Sequence, residues 1–224
     1  MIEERVKELL DRLGKGNGLG EAVTLIGATK TRTPEEINRA IRAGLADIGE
    51  NKVQEFRDKY DLIQGARRHF IGHLQTNKVK YLIGKVYLIH SVDRDDLARE
   101  IAARSVSAGV TTSVLLQINI GNEETKGGYP LSEGYAAYER WKGQKGLCIK
   151  GFMAMLPAQG EREYLCELCD NMRALYERAK REDKNIEYLS MGMSGDWELC
   201  LERGANAVRL GTAIFGDRDY ADRR

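Results

Sequence analysis

Apolar residues in this chain fall into short unbroken runs, separated by longer stretches in which they recur every three or four positions. The runs are "EAVTLIGATK" (21–30), "LADIGE" (45–50), "RHFIG" (68–72), "VYLIHSV" (86–92), "TSVLLQINIG" (112–121), "LCIKGFMAM" (147–155), "IEYLSMG" (186–192) and "NAVRLGTAIF" (206–215). Continuous apolar runs of this length predict strands covered on both faces. The intervening stretches predict helices: "PEEINRAIRAG" (34–44), "NKVQEFRDKYDLI" (51–63), "TNKVKYLIG" (76–84), "DRDDLAREIAARSVSAG" (93–109), "PLSEGYAAYERWKG" (130–143), "EREYLCELCDNMRALYERAKRE" (161–182) and "SGDWELCLERG" (194–204). Pro34 sits in the first turn of its helix and Gly44 closes it, while Asp93 is placed to cap the helix that follows it. An amphipathic helix, "MIEERVKELLDRL", precedes them all.

Eight strands, each followed by a helix or a helical turn, and no Asn-Gly or Asp-Gly hairpin between any two, predict a parallel sheet. Eight such units in 224 residues fit a closed (β/α)8 TIM barrel, here with an extra N-terminal helix. An open doubly wound sheet ranks lower, because the first strand–helix turn, "GATKTRTPEE", lacks the G-x-G-x-x-G cradle. No linker or tandem repeat divides the chain, so one domain over 1–224 is expected.

Charge and composition narrow the function without choosing it. Lys and Arg number 35 against 34 Asp and Glu, so neither sign dominates, which speaks against a nucleic-acid or membrane surface. No apolar run reaches the ~20 residues of a membrane span, and the charged N-terminus is not a signal peptide. Four cysteines (Cys148, Cys166, Cys169, Cys200) are few for this length and suit a reduced, cytoplasmic protein. Cys166-x-x-Cys169 lies in a helical stretch with no second pair, so two half-buried helix thiols are expected rather than a zinc site.

The chemistry of a barrel sits at the C-terminal ends of its strands. There the chain places Thr29-Lys30, Gly49-Glu50-Asn51, Gly72-His73-Leu74-Gln75, His90-Ser91-Val92-Asp93, "NIGNEETKGG", Met153-Ala154-Met155 and two small-residue turns, Ser190-Met191-Gly192-Met193-Ser194-Gly195 and Gly211-Thr212-Ala213. The loops after strands seven and eight are a frequent phosphate site in this architecture. Glycines admit an anion close to the backbone, and Ser190, Ser194 and Thr212 offer hydroxyl donors. Either turn alone reads as an ordinary capped turn; two adjacent ones favour phosphate. Lys30 loses hydration at the barrel mouth, and its neutral amine can attack an aldehyde to give a Schiff base. A lysine that snorkels to solvent is the plainer alternative. Arg209 shares a strand face with Gly211 and, once buried, needs an acceptor: a carboxylate such as Glu187 or Asp196, or a cofactor ring nitrogen. His69 and His73 offer only a weak metal pair, and for them, as for His90, a satisfied strand-end histidine is the commoner case.

The segments "TKTRTPEEINRAIRAG", "DIGENKVQE", "HFIGHLQTNKVK", "IHSVDR", "INIGNEETKGG", "GFMAMLP" and "LSMGMSGDWELCLERGANAVRLGTAIFG" together resemble the pyridoxal phosphate homeostasis proteins, also called the alanine-racemase N-terminal-domain-like or proline-synthase co-transcribed family. The resemblance runs over nearly the whole chain. It implies a fold-type III barrel, usually a monomer, that binds pyridoxal 5'-phosphate (PLP). It implies an internal aldimine on Lys30 and phosphate contacts from Ser190, Ser194, Gly211 and Thr212, with Met191 and Gly192 in the same turn. It also implies Asn51 near the cofactor ring and Arg209 near the pyridine nitrogen. One departure is Gly27-Ala28 ahead of Thr29-Lys30, where the family often carries Val and Ser; it bears on packing behind the ring.

The family's role is described as buffering and delivering PLP, with PLP-dependent apo-enzymes as recipients, and no firm enzyme activity goes with it. A PLP carrier without robust turnover is therefore expected. The alternative is an amino-acid racemase-like enzyme, which needs a base on each face of its substrate. In full-length racemases the second base comes from a β domain of a partner subunit, and a chain stopping at Arg224 has no room for one. A Schiff-base aldolase acting on sugar phosphates would account for Lys30 and the turns but not for Arg209.

Overall fold

In the computed structural model, which describes residues 1–123 and 125–217, eight parallel strands close on themselves. β1 (Thr24–Ala28) pairs with β2 (Asp47–Glu50), which pairs with β3 (Arg67–Phe70) and then β4 (Leu88–Val92). β4 pairs with β5 (Thr112–Asn119), which skips a two-residue strand, β6 (Tyr129–Pro130), to pair with β7 (Leu147–Ala154). β8 (Tyr188–Ser190) and β9 (Ala207–Leu210) follow, and β9 returns to β1 with Ile26 opposite Arg209. This is the (β/α)8 barrel the apolar runs predict. β6, absent from that pattern, lies against the end of β5 outside the ring. Arg224, on which the expected end of the barrel chain turned, lies outside the described residues.

The helices form where local chemistry dictates. α1 (Ile2–Leu13) buries Ile2, Val6 and Leu13 and keeps its charged face in water. It packs on α2 (Pro34–Arg42), where Arg39 grips Glu3 through two hydrogen bonds of 2.7 and 2.9 Å. α2 starts in a capping box: Glu36 N–H donates to the Thr33 hydroxyl and Thr33 N–H donates to the Glu36 carboxylate, with Pro34 at the first position. α3 (Val53–Lys59) follows β2, α4 (Asp95–Ser107) follows β4, α5 (Leu131–Trp141) follows β6 and α6 (Arg162–Glu182) follows β7. α7 (Trp197–Glu202) and the single turn α8 (Thr212–Phe215) close the series. Apolar layers lie between these helices and the outside of the barrel, while Leu88, Leu115 and Met153 fill part of its interior.

Three expectations are corrected. The stretch after β3 forms a 3-10 helix over Thr76–Tyr81 in place of an α-helix. It is only six residues long and buries Val79 alone, too little to repay a longer α-helical turn. Asp93 does not cap α4, whose N-cap is Arg94. Its carboxylate instead takes Arg94 Nη1 at 2.6 Å and lies 3.3 Å from His73 Nδ1. Cys166 and Cys169 are buried rather than half-buried, on the face of α6 turned into the core. Among the described residues no helix is long and apolar enough to cross a membrane, and no cluster of three or more His, Cys, Asp or Glu could hold a metal ion.

Candidate functional site

β1 ends at Ala28 and Lys30 stands two residues beyond it, half-buried in a turn. Its two neighbours are fastened to one partly buried cluster. The fully buried Thr29 donates its hydroxyl to Glu50 Oε1 at 2.7 Å, and Thr31 N–H donates to Glu55 Oε2 at 2.7 Å. Lys59, from the last position of α3, joins the two ends: its Nζ donates to Glu50 Oε1 (2.8 Å), Glu55 Oε2 (3.0 Å) and the Thr29 carbonyl (3.0 Å). Thr31 adopts a left-handed backbone with φ of +66°, a conformation that costs a side-chain-bearing residue about 1–3 kcal/mol. The bond to Glu55 helps to hold it there. Burial pushes the Glu50 carboxyl up, against the pull of Lys59, and Glu50 Oε2 is buried with no partner among the described residues. Gly27 gives way to a neighbour: a Cβ there would lie 2.6 Å from Leu45 Cδ2, so Leu45 occupies the space that a larger residue at 27 would take.

Asn51 follows β2 directly. Its Oδ1 is buried and has no partner among the described residues. Its backbone presses on Gly72, where a Cβ would fall 2.0 Å from the Asn51 carbonyl oxygen. Asn51 also borders a cleft of ≈ 310 Å³ shared with Lys52, Arg57, His73 and Lys78.

The two small-residue turns meet. After β8 the chain passes through Met191, which is buried, and Gly192, with φ of +104° and too close to Trp197 Cα to carry a Cβ. Asp196 accepts Met193 N–H at 2.6 Å and tightens the loop. The hydroxyls of Thr212 and Ser194 lie 2.8 Å apart, one from each turn. The atoms nearest to a Cβ at Gly211 would be the oxygen and Cβ of Ala28, at 3.5 and 3.6 Å, so this turn abuts the strand that leads to Lys30. Thr212 opens α8, so the first N–H groups of that turn have no acceptor within the helix.

Ser190 takes a different place from Ser194 and Thr212. Its hydroxyl is fully buried, accepts Arg209 Nη1 at 2.6 Å and lies 3.0 Å from His90 Nδ1. Arg209 also donates to the Ser190 carbonyl (2.9 Å) and to the Ala154 carbonyl (3.1 Å). Of the two kinds of acceptor open to Arg209, the carboxylate is not taken, and two carbonyls and a hydroxyl stand in its place: Glu187 pairs with Lys150, and Asp196 takes Met193 N–H. Burial pushes the Arg209 guanidinium down to about 10, which leaves it charged at neutral pH.

Beyond Ser190 the hydrogen bonds continue across the barrel interior. His90 Nε2 lies 2.8 Å from His69 Nδ1, and His69 Nε2 lies 2.8 Å from Asp47 Oδ1. Asp47 is gripped in turn by Arg67 through two bonds of 2.7 Å. His69 and His73 do not converge: His73 is exposed beside Asp93. Pattern reading passed over Asp47, His69 and His90 as a group, although a carboxylate inside the apolar run "LADIGE" was a visible signal. Burial pushes both His69 and His90 down from the usual imidazole value, Asp47 partly opposing this at His69 and the neighbouring Arg209 adding to it at His90. An imidazole lowered on folding binds its proton more readily in the unfolded chain. Its contribution to stability is thus complete above about pH 6.5 and is lost as pH falls from there towards the folded-state value. Stability should decline below about pH 6.5 by up to about 1.4 kcal/mol per pH unit for each of the two histidines. Urea titrations across that range check this, and His90→Gln should flatten the slope.

The family described as alanine racemase, N-terminal domain, matches residues 28–219. A pyridoxal phosphate homeostasis protein of Aquifex aeolicus (strain VF5) is 40% identical over 222 residues, which cover 98% of this chain and 96% of that protein. The pyridoxal phosphate homeostasis protein of Escherichia coli (strain K12) is 32% identical over 225 residues, 98% of this chain and 95% of that one. PipY of Synechococcus elongatus PCC7942, solved with PLP bound, superposes with a TM-score of 0.82 at 27% identity, over 96% of this chain and 100% of that chain.

Proposed function

Because the chain belongs to the pyridoxal phosphate homeostasis protein family, built on the alanine racemase N-terminal barrel, we propose that it binds pyridoxal 5'-phosphate at its barrel mouth and serves in homeostasis and delivery of that cofactor. The observation that carries this reading is the meeting of Ser194 and Thr212, 2.8 Å apart, at the point where the second turn abuts the strand leading to Lys30. The donor set suits the cofactor. Ser194, Thr212 and the backbone around Met191, Gly192 and Gly211 would hold the phosphate, Asn51 would lie by the ring, and Arg209 would face the ring nitrogen, with Ser190 supporting Arg209 from behind. Bound there, PLP would supply an aldehyde, and Lys30 is the residue whose amine would hold it.

Each hydrogen bond to the phosphate should contribute roughly 1.5–3 kcal/mol. Ser194→Ala or Thr212→Ala should then weaken PLP about 10- to 150-fold, at about 1.4 kcal/mol per decade. Unphosphorylated pyridoxal should bind far more weakly than PLP, and equal binding of the two would remove the site. Fluorescence or calorimetric titration reads both.

We further propose that the protein carries PLP without robust turnover, as a cytoplasmic monomer made of one barrel. Free cysteines throughout suit a reducing compartment. Arginine can only donate a hydrogen bond, so a ring nitrogen facing Arg209 would stay unprotonated and would be a poor electron sink. Incubation with L- or D-alanine in deuterated water should therefore give little α-proton exchange, while a PLP-dependent apo-enzyme mixed with the loaded protein should gain activity. Rapid exchange that needs Lys30 would favour the racemase-like alternative.

A further inference from the structure

Asp47, His69 and His90 are three buried polar groups joined in one line, through the Ser190 hydroxyl, to Arg209. We propose that Asp47, His69, His90 and Ser190 form a one-way hydrogen-bond relay that fixes Arg209 as a rigid donor, leaving its remaining N–H groups for the cofactor ring. The inference rests on the reading that PLP sits at the barrel mouth. Within it, Asp47, His69 and His90 are positioning residues that act on a ring they do not reach.

The direction of every bond follows from the chemistry of the two ends. A carboxylate can only accept, so His69 carries its hydrogen on Nε2 and donates it to Asp47 Oδ1 at 2.8 Å. A neutral imidazole has one N–H, so His69 Nδ1 is bare and accepts from His90 Nε2, 2.8 Å away. His90 Nδ1 is then bare as well and accepts the Ser190 hydroxyl hydrogen at 3.0 Å. That leaves Ser190 Oγ with only lone pairs towards Arg209, and a guanidinium can only donate, as its Nη1 does at 2.6 Å.

Neutrality of both rings is the condition for this, and the surroundings favour it. The charged and titratable groups facing the relay are Asp47 from β2, Arg67 from β3, Tyr87 beside His69, Tyr188 from β8 and Arg209 from β9. Asp47, the one carboxylate among them, is already shared with Arg67. With the relay set, both hydrogens of Arg209 Nη1 and one of Nη2 go to Ser190 and the Ala154 carbonyl. Nε and the second Nη2 hydrogen have no protein acceptor among the described residues.

Nitrogen NMR of the histidine-labelled, ligand-free protein tests this without any cofactor. At about pH 7 both His69 and His90 should be neutral with the hydrogen on Nε2. An Nδ1–H form or an imidazolium at either position overturns the relay. Asp47→Asn replaces a pure acceptor with a group that also donates, so His69 and then His90 should lose their single tautomer, although Asp47 has no contact with His90. PLP affinity of that variant should fall about ten-fold while borohydride still labels Lys30. An unchanged His90 tautomer together with unchanged affinity overturns the proposal. If Asp47→Asn fails to fold, Ser190→Ala gives the parallel result, with the His90 Nδ1 resonance shifted and PLP weakened. Failure of the unmodified protein to bind PLP would remove the cofactor reading instead, and the tautomers of the ligand-free protein are measured independently of it.

Discussion

Lys30→Ala should lose the visible absorption band that the unmodified protein acquires with PLP, and the loss should be complete. Borohydride reduction of the loaded protein should fix one label, recovered on the peptide containing Lys30. Lys30→Arg should behave like Lys30→Ala, because a guanidinium keeps the charge but is no nucleophile at neutral pH. The competing lysines differ in place. Lys52 and Lys78 line the neighbouring cleft with Asn51, and Lys126 donates to the Leu156 carbonyl at 2.9 Å and pairs with Glu123. A label on any of these three would defeat the assignment of Lys30.

Gly72→Ala should be the most damaging change of a single small residue near the mouth. Its Cβ would sit 2.0 Å from the carbonyl oxygen of Asn51 and 2.6 Å from its Cα. Both neighbours are backbone, so relief requires the segments after β2 and β3 to move apart. Overpacking ordinarily costs about 1–3 kcal/mol, and a clash against main chain belongs at or above the top of that range. At roughly 2–4 °C per kcal/mol for a chain of this size, thermal melting should fall by about 6–12 °C. PLP affinity should fall with it, since Asn51 is displaced. Gly195→Ala is the control: a Cβ there meets nothing within 4 Å, and a change of less than about 0.5 kcal/mol is expected. Equal melting shifts in the two variants would show that the Asn51 contact does not matter.

Much of the fold was legible because burial writes itself into local patterns. The run "TSVLLQINIG" is apolar on both faces because β5 is covered on both faces, and "TPEE" announces α2 through a cap that involves only neighbours in sequence. β6 left no such trace, since two residues are too few to show a period. The 3-10 helix over Thr76–Tyr81 shares its spacing with a short α-helix and differs in how little it buries. At the site, Lys30, Ser194 and Thr212 could be singled out because strand ends and small-residue turns are local features. The partners of Arg209 could not. Its charge suggested a carboxylate or a cofactor ring nitrogen, but the barrel brings the Ala154 and Ser190 carbonyls within reach, 55 and 19 residues away. The line from Asp47 to Ser190 was hidden for the same reason, as its members come from four strands and meet only when the barrel closes.

Lys59 bears on which amine of the mouth reacts. An aldehyde held there, as proposed, would have more than one lysine to meet, and an amine condenses with a carbonyl only through the lone pair on its nitrogen. All three hydrogens of the Lys59 ammonium are donated, to Glu50, Glu55 and the Thr29 carbonyl, and its nitrogen has nothing left to offer a carbonyl carbon. On the proposed assignment of Lys30, the cluster that fastens both of its neighbours would also keep the lysine beside it from competing, through the same three bonds.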